Sequence, residues 1–109
     1  MEGDGLSIEV AELDRLRRSD PDLVILDVRA PQEIELCSIE HSLEIPLSEL
    51  PDRINEIPRD RPLAVLCHHG VRSLQATMWL RGRGYDRAMN VAGGIDAWAA
   101  VIDPTMRRY

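Results

Sequence analysis

The chain contains no lysine and no phenylalanine, and its only cysteines are Cys37 and Cys67. Two cysteines are too few for the disulfide framework of a small secreted protein, so we expect free thiols and a cytoplasmic location. No apolar run approaches the roughly 20 residues that a membrane-spanning helix needs. The first five residues are acidic, whereas a targeting segment would be basic. We therefore expect no membrane partner.

Positive charge is also scarce. Thirteen arginines face 19 acidic residues, which gives a formal net charge of −6. This balance argues against non-specific attraction to nucleic acid, and we expect no such partner. A small anion can still be held by backbone N–H groups inside an acidic protein. An anionic small molecule therefore remains a candidate ligand.

The length of 109 residues is typical of one domain with one hydrophobic core. We predict a single domain over residues 1–109, with flexible ends at residues 1–5 and about 103–109. The final residues receive no functional role in this interpretation.

Two unbroken apolar runs, at residues 23–28 and 63–67, predict strands that are buried on both faces. We predict further strands at residues 6–10, 43–45 and 88–91, and helices at residues 12–18, 33–36, 48–57, 71–83 and 95–100. Ser48 is the expected N-cap of the third helix, and the fourth should turn Leu74, Met78 and either Trp79 or Leu80 inward. The alternation predicts an α/β domain with a mostly parallel central sheet and helices on both faces.

The segment between the second buried strand and the following helix carries the residues suited to chemistry. Its members are Cys67, His68, His69, Gly70, Val71, Arg72 and Ser73. A cysteine before a helix amino terminus is stabilised as the nucleophilic thiolate by the helix dipole. Gly70 permits a tight turn of inward N–H groups, and Ser73 is expected to cap the helix. The loop is predicted to cradle an anionic group on Cys67.

These residues match a known pattern. Residues 67–73 read Cys-x-x-Gly-x-Arg-Ser, and further matching segments are residues 26–33, 45–47 and 90–98. Over nearly its whole length the chain resembles the rhodanese-like domain family. The resemblance implies that Cys67 takes a sulfane sulfur from thiosulfate or a persulfide donor, holds it as a persulfide, and passes it to cyanide or a thiol.

The resemblance also implies roles for other residues. Loop N–H groups and Arg72 would stabilise the anionic sulfur, and Asp27 and Arg29 match an Asp-x-Arg signature that would brace the loop. No metal and no organic cofactor is implied, and the partners would be a small anionic sulfur donor and a sulfur-donor or sulfur-acceptor protein. His68 and His69 could donate protons, although in such a loop their backbone N–H groups more often matter.

One segment departs from the family pattern. The family commonly has Gly-His-Ile-x-Gly-Ala before its Ile-Pro pair, where this chain has residues 37–42. Ser38 thus stands where the family has histidine, and His41 stands where it has glycine.

Three alternatives remain open at this point. A cysteine-based phosphatase also surrounds an anion with a thiolate and an arginine, but its motif has one more residue between them than the four found here. A zinc site could draw on Cys37, His41, Cys67, His68 and His69, although adjacent histidines rarely bind one tetrahedral ion. A binding module of the same fold would carry no catalysis.

Overall fold

The computed structural model describes residues 5–109 and places a parallel sheet at their centre. Over this range the strands are β1 (Ser7–Ile8), β2 (Val24–Asp27), β3 (Leu43–Glu44), β4 (Leu63–Leu66) and β5 (Ala88–Val91). Their order across the sheet is β1-β5-β4-β2-β3, and every neighbouring pair is parallel. The predicted flexibility of residues 1–4 lies outside the described residues.

Helices connect these strands, because parallel neighbours require crossover connections. The helices are α1 (Val10–Ser19), α2 (Pro31–Leu36), α3 (Leu50–Arg53), α4 (Val71–Arg81) and α5 (Gly94–Val101). One face of the sheet packs against α3 and α4 around Val65 and Leu80, and the other packs against α1 and α5 around Leu13 and Trp98. The predicted α/β architecture with two covered faces is confirmed. None of the helices in residues 5–109 is long and apolar enough to span a membrane.

The two predicted buried strands lie side by side at the centre of the sheet. Register pairs Val24 with Leu63 and Asp27 with Leu66. The last residues of β2 and β4 therefore reach the same carboxyl edge, where sites form in open sheets of this kind. This pairing brings Asp27 and Arg29 to the edge from which the Cys67 segment leaves.

The prediction of one helix over residues 48–57 is wrong. A 3-10 turn (Leu47–Glu49), the short α3 and a second 3-10 turn (Ile54–Glu56) share this stretch, and Ser48 caps no helix. Pro51 lies in the first turn of α3, where a missing backbone N–H is tolerated, and an α-helix cannot extend back through Leu47 because residue 51 has no N–H to donate to its carbonyl oxygen.

The predicted inward face of the fourth helix is only partly right. Leu80 is fully buried, but 57% of Met78 is exposed. The buried side of α4 carries Ser73, Ala76 and Thr77 instead. A small, partly polar face lets the helix lie close to the sheet, which apolar spacing alone did not predict.

His41, which stands where the family that the chain resembles commonly has glycine, has a left-handed φ of 66°. The turn survives the substitution, because the Ser42 N–H and hydroxyl both donate to the carbonyl oxygen of Ile39. A histidine in this conformation costs about 1 kcal/mol relative to glycine.

Candidate active site

Cys67 follows β4 directly, and its side chain is 1% exposed. Two backbone N–H groups donate to its sulfur, from Gly70 at 3.1 Å and from Ser73 at 3.3 Å. Ser73 lies in the first turn of α4, so the sulfur occupies the place of a capping acceptor. The positive end of the helix and these two donors are arranged to stabilise negative charge on a sulfur group held here.

The turn that carries these donors depends on glycine. Gly70 has a φ of +101°, and a Cβ there would lie 3.1 Å from the Gly93 nitrogen and 3.3 Å from the Val91 carbonyl oxygen. The Cys67 loop therefore packs directly against the backbone that follows β5. Val71, the next residue, is 70% exposed and contributes to the outer surface of the loop.

Helix α5 holds the other side of the loop through its first amides. Ile95 donates to the Cys67 carbonyl oxygen at 2.8 Å, and Asp96 donates to the His68 carbonyl oxygen at 3.1 Å. Because C=O and N–H of a trans peptide point in opposite directions, the His68 and His69 N–H groups point away from α5. Gly94 makes this approach possible, since a Cβ there would overlap both carbonyl oxygens.

Ser73 does not cap the helix, contrary to the prediction. Gly70 is the N-cap of α4 and supplies no side chain. Ser73 is fully buried, with its hydroxyl 3.1 Å from the Cys67 sulfur and donating to Asn90 Oδ1 at 2.5 Å. Its side chain therefore belongs to the surroundings of the sulfur. Asn90, a polar residue in the otherwise apolar β5, was not singled out from the sequence.

Asp27 and Arg29 form a fully buried ion pair. Arg29 donates from Nη2 to Asp27 Oδ2 at 2.7 Å and from Nε to Oδ1 at 2.9 Å. It also donates to the carbonyl oxygens of Glu33 and Cys37, so the pair supports α2 and the segment after it. These bonds lead to α2 and the segment after it, and the bracing of the Cys67 loop by this pair stays a prediction. Burial lowers the pKa of Arg29, but its bonds to Asp27 and Tyr109 outweigh this and raise it overall.

Arg72 points to a carboxylate instead of the sulfur. Its two terminal nitrogens donate to Glu33 at 2.7 and 2.9 Å, and over residues 5–109 no hydrogen bond joins its guanidinium to Cys67. The hydrogen bonds from Arg72, which outweigh the effect of burial, lower the pKa of Glu33 to about 2. Since Glu33 also accepts from the Ala30 N–H, this pair ties the Cys67 loop to α2.

The end of the described chain, predicted to be flexible and without a role, lies over the site. The Tyr109 hydroxyl accepts from Arg29 at 3.1 Å and donates to Glu33 at 2.8 Å, and its ring stacks on His68 at 3.8 Å between centroids. Arg108 anchors the same segment through Asp96. Burial raises the pKa of Tyr109 to about 12, so its hydroxyl remains protonated at neutral pH.

His69 faces solvent, with a side chain that is 62% exposed. His68 is partly covered, with Nε2 2.9 Å from the Tyr109 carbonyl oxygen. In the described part of the chain, the one group of close metal-ligand types is His68, His69 and Asp96. Cys37, His41 and Cys67 are not in it, so the five-residue zinc alternative is not assembled. Asp96 is moreover already paired with Arg108.

Comparison with known proteins identifies the family to which the chain belongs. The model of the Rhodanese-like domain family matches residues 9–101. This chain belongs to that family.

Among curated rhodanese relatives, the chain is 42% identical to a sulfurtransferase of Allochromatium vinosum over 72% of this chain and 73% of the relative. It is 37% identical to thiosulfate sulfurtransferase GlpE of Pseudomonas syringae over 69% of this chain and 71% of the relative. The crystal structure of a rhodanese-related protein from Thermoplasma volcanium matches with a TM-score of 0.80 at 37% identity, covering 87% of this chain and 91% of that one. Other relatives are longer, and the chain spans 36% and 22% of two of them.

Three residues around the rhodanese loop were not assigned roles from the sequence. Glu33 lies in the segment that resembles the family, and an acid six residues after Asp27 was the available signal. Asn90 interrupts an apolar strand, which is a weaker signal. Tyr109 has none, because its position over the site depends entirely on the path of the chain after α5.

Proposed function

We propose that this protein is a sulfurtransferase that carries a sulfane sulfur on Cys67. The observation that supports the proposal best is the sulfur of Cys67 at the amino terminus of α4, accepting N–H bonds from Gly70 and Ser73. The curated relatives named as sulfurtransferases support the same reaction class. The two free thiols fit a reducing compartment, for which we propose the cytoplasm.

The reaction begins with ionised Cys67. The thiolate attacks the outer sulfur of the donor, and the new S–S bond forms as the donor's own S–S bond breaks. With thiosulfate as donor, which the name of the Pseudomonas relative supports, sulfite leaves with the electron pair of the broken bond. The enzyme is left as the Cys67 persulfide.

The second half-reaction returns the enzyme to its starting state. A thiophile, cyanide or a thiolate, attacks the terminal sulfur of the persulfide, and the Cys67 thiolate departs. Loop N–H groups, which are neutral and already oriented, stabilise the anionic sulfur in both halves. A relative named as a putative sulfur carrier protein supports a protein as donor or acceptor.

We assign Arg72 a supporting part in this reaction. Its guanidinium holds Glu33 and so fixes the loop against α2, while about 37% of its side chain faces solvent at the loop. This pairing disfavours the phosphatase alternative, in which the arginine must bind the phosphate of the substrate.

The test is a thiosulfate:cyanide sulfurtransferase assay of wild type, Cys67→Ser and Cys37→Ser proteins. We expect Cys67→Ser to lose at least about a thousandfold in rate, because the nucleophile is removed. Mass spectrometry after thiosulfate treatment should add the mass of one sulfur atom to Cys67. Full activity without Cys67 would disprove the mechanism, and absence of any sulfur adduct would favour the binding module.

A further inference from the structure

Buried polar side chains form a line that leads inward from the Cys67 sulfur. Ser73 Oγ lies 3.1 Å from Cys67 Sγ and 2.5 Å from Asn90 Oδ1. On its far side, Asn90 donates an amide N–H to Ser7 Oγ at 3.1 Å. Ser73 is fully buried and Asn90 is 4% exposed, so each depends on these partners for its hydrogen bonds.

The single hydrogen of the Ser73 hydroxyl determines the direction of the bonds in this line. Asn90 Oδ1 can only accept, so Ser73 donates its hydrogen there. Toward Cys67, the Ser73 oxygen can then only accept. The observed arrangement therefore suits a protonated Cys67 thiol whose S–H donates to Ser73.

The Ser73 oxygen, as an acceptor, needs a hydrogen from Cys67, and a thiolate has none to donate. In the same arrangement the sulfur anion and the Ser73 oxygen would face each other as two acceptors 3.1 Å apart. A hydroxyl turned toward the sulfur would remove the conflict and would add a charge-assisted hydrogen bond. Once the hydroxyl has turned, Asn90 Oδ1 and the Ser73 oxygen face each other as two acceptors. Rotation of the Asn90 amide removes this second conflict.

We propose that Asn90 is a positioning residue for Cys67, and that its amide group turns over about the Cβ–Cγ bond when Cys67 ionises. The turned amide donates N–H to Ser73, and Ser73 donates to the thiolate. Each hydrogen stays on its own residue, and the thiol proton leaves to solvent. The proposal rests on the proposed function only in treating Cys67 as the nucleophile.

Charged and titratable groups on the surrounding elements lie outside this line. They are Asp27 and Arg29 after β2, Glu33 on α2, His68, His69 and Arg72 in the loop, Asp96 on α5, and Tyr109. Over residues 5–109, none of them forms a hydrogen bond with the side chains of Ser73 or Asn90. None of these groups therefore fixes the direction of the Asn90 amide through a hydrogen bond.

Nuclear magnetic resonance of the wild-type protein labelled with [15N]asparagine tests the turn directly. The chain has two asparagines, Asn55 and Asn90, so exposed Asn55 serves as the control within the same sample. The pH is raised until the alkylation rate of Cys67 by iodoacetamide shows full ionisation. We expect the nuclear Overhauser contacts of the Asn90 amide protons to move from Ser7 to Ser73 in step with ionisation.

The Cys67→Ser protein provides the matched comparison. It keeps every histidine and carboxylate of the site but has no thiol to ionise, so its Asn90 amide should not change. An Asn90 amide that keeps its contact with Ser7 throughout ionisation of the wild type would overturn the proposal. The same change in Cys67→Ser would also overturn it, because the cause would then lie elsewhere.

The alkylation rate of Cys67 tests whether the Asn90 amide affects the reactivity of the thiol. In Asn90→Asp the carboxylate can only accept, so it retains the Ser73 hydroxyl, and alkylation of Cys67 at pH 7 should be about tenfold slower. Rates should converge at high pH, where the thiol is ionised in both proteins. Asn55→Asp should match wild type. Peptide mass spectrometry distinguishes Cys67 from Cys37.

A double-mutant cycle decides whether Asn90 acts through Ser73. In a Ser73→Ala background, Asn90→Asp should slow alkylation less than it does when Ser73 is present, because only the repulsion between the carboxylate and the thiolate remains. Equal slowing in both backgrounds would show a direct charge effect and would overturn the proposal, as would the absence of slowing when Ser73 is present. Alkylation needs only an ionised thiol, so these outcomes stand apart from any failure to transfer sulfur.

Discussion

Two regions meet at the carboxyl edge of the sheet, and they differ in charge. The neutral cradle, formed by Gly70, Ser73 and Asn90, touches or supports the sulfur of Cys67 without any ionised group. The charge network is a set of five side chains: Asp27, Arg29, Glu33, Arg72 and Tyr109. The side chains of the charge network bond to one another and to α2.

The difference in charge suggests different roles for the neutral cradle and the charge network. Neutral N–H donors can stabilise sulfur in several anionic forms, since each remains a donor in every step. A buried guanidinium needs its own carboxylate and so serves better to hold elements together. We therefore expect changes in the network to act mainly on stability, and changes in the cradle to act on the chemistry of Cys67.

Arg29→Met should produce the largest loss of stability. It leaves the Asp27 carboxylate buried and unpaired, and we expect the free energy of unfolding to fall by about 3–5 kcal/mol in urea denaturation. Arg53→Met is the matched control, because Arg53 pairs with Glu49 and Glu56 at the surface. It should change stability only slightly. Equal losses in the two variants would contradict the structural role of the network.

Gly94→Ala should disturb the cradle through its backbone. The added Cβ meets the carbonyl oxygens of Cys67 and His68, and φ is +61°. We expect a loss of about 3 kcal/mol in unfolding free energy and slower alkylation of Cys67. Gly5→Ala is the control, since Gly5 has a φ of +72° but nothing within 4 Å of its added Cβ. If Gly5→Ala were as damaging, close packing would not be the cause.

Glu33→Gln should lower stability in a pH-dependent way. The pKa of Glu33 is about 2, below its ordinary value of 4.5, so its stabilising effect is complete above pH 4.5 and is lost as pH falls through about 2. We expect a difference of about 2 kcal/mol from wild type at pH 7, which shrinks below pH 4.5 and vanishes near pH 2.

Glu33→Gln also tests whether the charge network affects the chemistry of Cys67. Alkylation of Cys67 at pH 7 should change less than about threefold, because the Glu33 carboxylate bonds to the network and not to the sulfur. Glu12→Gln, which removes an exposed partner of Arg15, is the control and should have a smaller effect on stability. A large change in alkylation would contradict the division of roles.

Tyr109→Phe should have the smallest effect. It removes the hydroxyl bonds to Arg29 and Glu33 but keeps the ring that stacks on His68, so we expect a loss of about 1 kcal/mol. Amide hydrogen exchange in α2 should become faster. Tyr85→Phe is the comparison, because its hydroxyl donates to the carbonyl oxygens of Ile54 and Ile57, away from the network. Faster exchange in α2 for both variants would argue against a specific contact.

Local patterns in the sequence were sufficient for the fold class and for the position of Cys67. Apolar runs predicted β2 and β4 because strands buried on both faces need apolar side chains throughout. Gly70 and its neighbours predicted a tight loop before α4, which the structure has. Helix boundaries were less accurate around Pro51, where two 3-10 turns flank the short α3.

Local sequence patterns could not predict which side chains from distant segments would form hydrogen bonds with one another. The resemblance implied that Arg72 would stabilise the anionic sulfur, and residue type predicted that Ser73 would cap its helix, but both side chains bond to residues of other elements. A guanidinium or a hydroxyl accepts whichever partner the packing brings within reach. That choice depends on the distance between β2, α4 and β5, which no single segment contains.

The sequence by itself determined a parallel α/β sheet with a cysteine at the edge where buried strands end, because apolar periodicity and glycine positions act locally. Only the tertiary structure decided which groups surround that cysteine. Asn90 reaches Ser73 because β5 lies beside β4, and Tyr109 reaches Glu33 because the chain after α5 returns to α2. Hydrogen bonds are short and directional, so their pairing is settled only when the elements have packed.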